Sequence, residues 1–268
     1  MNNRKKIKDF NLIAGSILAA IVIIPALIGL FWTPYNIEAM DNALKLAGSS
    51  AAHPMGCDNF GRDILSRIMA GSSTTLLIGL GTVLIGAAAG TIIGALTGYY
   101  GGLIDDIFMR FNDVMFSFPS LLLALVFVAV MGSGRIQLLL ALGLAFIPSY
   151  VRIVRAEYVR ARNLDYVKSA KLAGASDMRV MFVHILPNII RVLINSILIG
   201  FNNAVLAEAG LSFLGIGVQP PNASLGRMLA DSQTYLFGKP GMAIAPGITL
   251  IIMVLGISLL GKSKMISE

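Results

Sequence analysis

The chain has 268 residues, of which 56% are hydrophobic and only 13% charged, with a net charge of +7 and a mean hydropathy of +0.79. An ordinary soluble domain carries about 25% charged residues, so a water-exposed globule of this size would lack a polar coat. The same numbers exclude a disordered chain. The apolar residues fall in long uncharged runs, which marks a multi-span membrane protein. The single cysteine, Cys57, excludes an internal disulfide and a cysteine-built metal site, and two distant histidines, His53 and His184, argue against a histidine cage.

A helix crossing about 30 Å of hydrocarbon takes about 20 apolar residues. Charge-free runs cover 10–37, 68–104, 114–134, 136–151, 192–207 and 240–261, and predict an all-α membrane protein with about six transmembrane helices. Residues 1–10 form a basic N-terminus with Arg4, Lys5, Lys6 and Lys8. The first span, 11–33, is longer than the apolar stretch of a cleaved signal (about 7–15 residues) and is expected to remain attached. Residues 34–70 are expected to be an extracytoplasmic segment ending in a short interfacial helix, Asp63 to Met69, with Arg62 and Asp63 either positioning it or simply solvated. The second span is expected to begin after Gly71 and end near Tyr99–Gly102. Within it Gly86, Gly90, Gly94 and Gly98 recur every fourth residue, a face where a neighbouring backbone can approach closely.

Pro119, Pro148 and Pro246 lie inside or near the ends of the third, fourth and sixth spans, where each removes a backbone donor and can kink its helix. In the fifth span, Asn195, Asn202 and Asn203 are costly against lipid. Asn195 and Asn202 share a face, so they either line a passage or hydrogen-bond between helices. Glu208 closes that span. An acid near a membrane is a functional candidate, although at an interface it would be solvated.

Six crossings from an inside N-terminus place 1–10, 99–113, 152–191 and 262–268 on one side, with fifteen Lys and Arg, and 34–70, 131–137 and 207–240 on the other, with six. The positive-inside rule then puts both termini in the cytoplasm. The longest inside segment carries a two-helix loop. Asn163 can cap its first helix, Asp165 suits the positive end of the dipole, and Gly174 ends it. Ser176 can cap a second helix, in which Met178, Met181, Phe182, Ile185 and Leu186 form an amphipathic stripe stopped by Pro187. Such a hairpin either docks in a groove of a partner protein or lies on anionic lipid.

The pattern Lys168-Ser169-Ala170, Gly174, Ile185-Leu186-Pro187 resembles the "EAA" loop of binding-protein-dependent ABC importers, with Lys-Ser in place of the leading Glu-Ala. His53-Pro54-Met55-Gly56-Cys57-Asp58-Asn59-Phe60-Gly61-Arg62-Asp63-Ile64-Leu65-Ser66-Arg67 resembles the "HPLGTDxxGRDxLSR" segment of one subgroup, with Cys57 where threonine is usual. Leu211-Ser212-Phe213-Leu214-Gly215-Ile216-Gly217-Val218-Gln219-Pro220-Pro221 resembles its "LSFLGLGxxPP" segment. With Gly98-Tyr99-Tyr100-Gly101-Gly102 these cover nearly the whole chain in order, and the chain is similar to the C-type permease subunit of dipeptide, oligopeptide or nickel importers.

The resemblance implies a permease core over 71–261 and a cytoplasmic coupling loop at 157–187, followed by a short cytoplasmic tail at 262–268. Asp165, Tyr166, Lys168, Ser169, Ala170, Gly174, Ala175, Leu186 and Pro187 are its implied coupling residues. It further implies a second permease subunit completing a heterodimer, two cytoplasmic ATP-binding subunits, an extracytoplasmic solute-binding protein and a multi-pass home in the bacterial cytoplasmic membrane. Lipid is then a partner and nucleic acid is not. ATP and Mg are expected on the partner ATPases, with no phosphate loop, cofactor or enzymatic activity in this chain. Peptides are the expected solute, with nickel or a metal chelate the alternative. A secondary transporter or channel would call for intramembrane acids or internal repeats, and a membrane enzyme for clustered carboxylates.

Overall fold

The computed structural model describes the backbone of residues 2–265 and the side chains of residues 9–262. The side chains of Arg4, Lys5, Lys6 and Lys8, and most of the short tail, lie outside the described residues. Among the described residues the chain is helical, with one isolated bridge between Cys57 and Asp63 and no strand. The helices are α1 (Asn2–Gly29), α2 (Ile64–Tyr100), α3 (Gly102–Phe116), α4 (Ser120–Met131), α5 (Arg135–Ala161), α6 (Asp165–Leu172), α7 (Asp177–Arg179), α8 (Leu186–Phe213), α9 (Leu225–Ser232) and α10 (Gly241–Met265). A π-helical stretch, Val180–Ile185, joins α7 to α8 without a break. Among the described residues, five helical segments are long and apolar enough to cross a membrane, and six if the bent pair α3 and α4 is counted as one.

Several boundaries differ from those the charges suggest. The second span starts at Ile64, and no separate interfacial helix precedes it. Asp63 accepts the Ser66 amide and hydroxyl at 2.7 Å, capping α2 directly. Arg62 and Asp63 are both buried rather than solvated. The third run supplies only the 12 residues of α4, roughly 18 Å at 1.5 Å per residue and too short to span alone. It meets the amphipathic α3 at 90°. Pro119 stands at this break, where the residue before a proline disfavours helix. Pro148 and Pro246 lie inside continuous helices.

The chain divides into two compact units, one of residues 1–80, 128–139 and 202–268, the other of 81–127 and 140–201. In the first, α1 packs on α10 through small residues: a Cβ placed on Gly256 would lie 2.6 Å from the Ala19 amide nitrogen, and one on Gly15 2.9 Å from that of Leu260. The Ser73 hydroxyl donates to the Ala26 carbonyl, one of the carbonyls left without an intrahelical donor at the end of α1. The same unit holds a buried charge network. Arg62 Nε donates to Asp58 at 2.7 Å, Arg67 lies 3.6 Å from the same carboxylate, and His53 Nδ1 meets Asp63 at 2.9 Å. Beside these carboxylates, Cys57 is 2% exposed; burial first, then the charges of Asp63, Asp58 and Asp41, push its thiol pKa up, so it is inert.

In the second unit the glycine face of α2 packs on α5. A Cβ on Gly86 would meet Phe146 and Tyr150 at 3.2 Å, one on Gly94 would lie 2.7 Å from the Val151 carbonyl, and one on Gly98 2.7 Å from that of Arg155. Gly90 is held equally close against Tyr150. The absence of Cβ is what allows the two backbones to approach this closely. Arg152 and Arg155 lie within α5 rather than at its edge, because α3 supplies Asp113 at 2.7 Å and Asp105 at 2.5 Å. Their charges therefore do not terminate the helix.

Candidate functional site

The loop that joins α5 to α8 is built from local rules. Leu164, not Asn163, is the N-cap of α6 and offers no side-chain cap; Asp165 occupies the first turn, where a negative charge suits the helix dipole. At the other end Gly174 adopts φ +82°, a left-handed conformation that favours glycine. The Gly174 amide donates to Lys171 O at 2.9 Å and the Ala175 amide to Ala170 O at 3.0 Å, the paired bonds of a Schellman turn. Ser176 then caps α7 through the Arg179 amide.

Pro187 does not stop the second helix. It falls in the first turn of α8, directly after the π-helical stretch, whose wider turn relieves the clash between a proline ring and the preceding carbonyls. The amphipathic stripe is thus the root of the fifth span. Val180, Met181 and Ile185 are fully buried, Phe182 and Leu186 half-buried, and Met178 exposed.

Asp165, Tyr166, Lys168, Ser169, Gly174 and Pro187 are exposed, while Ala170 and Ala175 are half-buried. Burial still pushes the Tyr166 phenol pKa up, partly offset by its hydrogen bond with Asn188. The tip is apolar: Leu172 is 89% exposed at the end of α6. Lys168 pairs with Asp165 at 3.2 Å, but at such exposure the pair contributes little. Side-chain hydrogen bonds fasten the loop to earlier helices. Tyr158 donates to the Met181 carbonyl at 3.0 Å and Tyr99 to Asp177 Oδ1 at 2.5 Å. An anchored base and an exposed, partly apolar tip suit insertion into a protein groove.

The pathway candidates have different surroundings. Asn195 is half-buried and Asn203 exposed. Asn202 donates to Ser258 Oγ of α10 at 2.9 Å, an interhelical bond rather than a free lining group. Glu208 is not solvated; it is fully buried, with Thr75 donating to Oε2 and Ser212 to Oε1, each at 2.7 Å. Sequence reasoning missed Thr75, Tyr99 and the Asp105–Arg155 pair, whose partners are distant in the chain, and also Ser212, one helical turn from Glu208.

One string, Gly256-Ile257-Ser258-Leu259-Leu260-Gly261-Lys262-Ser263, does have the spacing of a phosphate loop, contrary to expectation. It lies wholly inside α10, with Gly256 against Ala19, not in a loop that leads into a helix. Its amides serve the helix and do not form a phosphate cradle.

Several apolar helices of spanning length, close helix packing through glycine and a projecting two-helix loop define a polytopic helical membrane protein. Residues 90–263 match the family described as binding-protein-dependent transport system inner membrane component, and the chain belongs to that family. It is 38% identical to the dipeptide transport system permease protein DppC of Haemophilus influenzae, over 92% of this chain and 86% of that one. It is 36% identical to the glutathione transport system permease protein GsiD of Pectobacterium atrosepticum, over 96% and 86%. With the di/tripeptide transport system permease protein DppC of Pseudomonas aeruginosa the identity is 41%, over 81% and 71%. The chain is therefore an inner-membrane permease component of a binding-protein-dependent transport system.

Proposed function

We propose that this chain is the transmembrane permease subunit of an ABC importer for di- and oligopeptides. It forms half of a translocation pathway completed by a second permease subunit. The observation that carries the peptide assignment is similarity, along more than four-fifths of the chain, to permeases named for dipeptide, di/tripeptide and glutathione transport. No comparable observation favours nickel. ATP and Mg are held by two partner ATPases, a division supported by the helical state of the Gly256–Ser263 string. A solute-binding protein delivers the peptide from outside.

Within this assignment the loop at 157–187 is the coupling lever, with α6 and α7 seated in grooves of the ATPases. Its anchored base supports the assignment, since closure of the ATPases has to move the spans through a firm attachment. Gly174 is the pivot. Its φ of +82° strains any β-branched residue, although open space surrounds the position. Gly174→Val is therefore expected to leave the subunits assembled, while uptake of tritiated alanyl-alanine per ATP hydrolysed by the reconstituted complex falls about tenfold. Unchanged stoichiometry would remove the loop from the coupling role.

The Lys and Arg distribution supports a cytoplasmic location for the loop and both termini. Cys57 is the only cysteine in the sequence and is buried, so Ser169→Cys introduces one reactive thiol. In right-side-out vesicles it is expected to resist an impermeant maleimide until the membrane is opened. Labelling of sealed vesicles would invert the orientation.

A further inference from the structure

Tyr99 sits on the last turn of α2, with 6% of its surface exposed. Its hydroxyl donates to Asp177 at the start of α7, and Lys171 Nζ of α6 lies 4.7 Å from the centre of its ring. One side chain is thus gripped by both helices of the loop. Behind it, Arg162 Nη1 donates to the carbonyls of Gly98 at 3.1 Å and Tyr99 at 3.4 Å, where α2 runs out of amide donors.

Directly after Tyr99 and Tyr100, Gly101 and Gly102 both take positive φ, +67° and +56°. Two successive left-handed residues turn the chain out of α2 into α3, a place where a small torsional change swings a whole helix. Tyr99 lies two residues from the first of these glycines, so it joins the loop to this junction by the shortest route. A continuous chain of contacts of this kind carries conformational coupling between elements that move.

We propose that Tyr99 is a positioning residue that passes displacement of the α6–α7 loop to the α2–α3 junction, making the Tyr99–Asp177 bond part of the transport stroke. This rests on the coupling-loop assignment above. A side chain that merely stabilised the fold would alter assembly or melting without changing the solute carried per ATP.

The test uses the complete complex, with its ATPases and binding protein, in proteoliposomes supplied with tritiated alanyl-alanine. Tyr99→Phe keeps the ring under Lys171 and deletes only the hydroxyl; Asp177→Ala deletes the acceptor. Each is expected to lower uptake per ATP about fivefold while the subunits still co-purify, and the double variant to be no worse than either single one. Additive losses, or an unchanged ratio in Tyr99→Phe, overturn the proposal. Gly174→Val measured in parallel separates the two ideas. If it uncouples while Tyr99→Phe does not, only the Tyr99 link is lost; if neither changes the ratio, the coupling-loop assignment falls as well.

Discussion

Gly94→Val is expected to lower the thermal stability of the permease within its complex substantially. The first atom of the new side chain would sit 2.7 Å from the Val151 carbonyl oxygen and 2.9 Å from the Arg155 amide nitrogen. Both are backbone atoms of α5, so no rotamer change relieves the contact, and the helices must separate by a large part of an ångström. Separation would also loosen the contacts at Gly90 and Gly98 on the same face. Overpacking a well-filled interior costs about 1–3 kcal/mol, and more where the backbone has to move. The expected result is a loss of roughly 3 kcal/mol or more, read as a fall of about 10 °C in the melting temperature of the purified complex. Gly210→Ala is the matched control. It replaces a helical glycine with no atom within 4 Å of the new Cβ, and is expected to be neutral or to gain up to about 1 kcal/mol of helix propensity. Equal melting temperatures for Gly94→Val and Gly210→Ala would show that the glycine face does not set the approach of α2 to α5.

The glycine face is legible in the sequence because a four-residue repeat is a local signal, and so is Gly174, which lies between two amphipathic patterns. The turn it forms follows from backbone conformation alone. Span boundaries are less legible, since a linear reading places them where charges begin. Arg67 interrupts nothing in α2, because Asp58 lies 3.6 Å away and the Ile37 carbonyl accepts from its guanidinium at 3.1 Å. Arg152 and Arg155 likewise stay inside α5 because acids on α3 meet them. Each such pair is invisible along the chain, where the charge shows but its counter-ion does not. Pro187 misleads for a different reason: a π-helical stretch ahead of it removes the steric conflict that normally ends a helix. The bend at Pro119 shows the opposite case, a proline whose local restriction is expressed in full.

Glu208 is the residue whose surroundings differ most from expectation, and its replacement is the second change with a large expected effect. Among the described residues its hydrogen-bond partners are hydroxyls. The Leu225 amide donates to Thr75 Oγ1 at 3.3 Å, and the Val218 amide to Ser212 Oγ at 3.1 Å. Thr75 and Ser212 thus each accept a backbone proton and donate their own to the carboxyl, one to each oxygen. Ser224, which accepts from the Arg227 amide, hydrogen-bonds the same group. One side chain of α8 therefore holds α2, the turn after Phe213 and the start of α9. Glu208→Leu fills similar space and strands these hydroxyls without water. At about 1–3 kcal/mol for each stranded group, the expected loss is about 3–5 kcal/mol, enough to abolish recovery of intact complex. Glu208→Gln retains one acceptor but sets an amide donor against a hydroxyl donor, and is expected to cost about 1–2 kcal/mol, visible as a lowered melting temperature. Thr75→Val in the Glu208→Leu background should add little, because its partner is already gone. A fully additive loss would mean that Thr75 acts elsewhere, and a Glu208→Leu complex as stable as the parent would show that this carboxyl does not hold the three elements together.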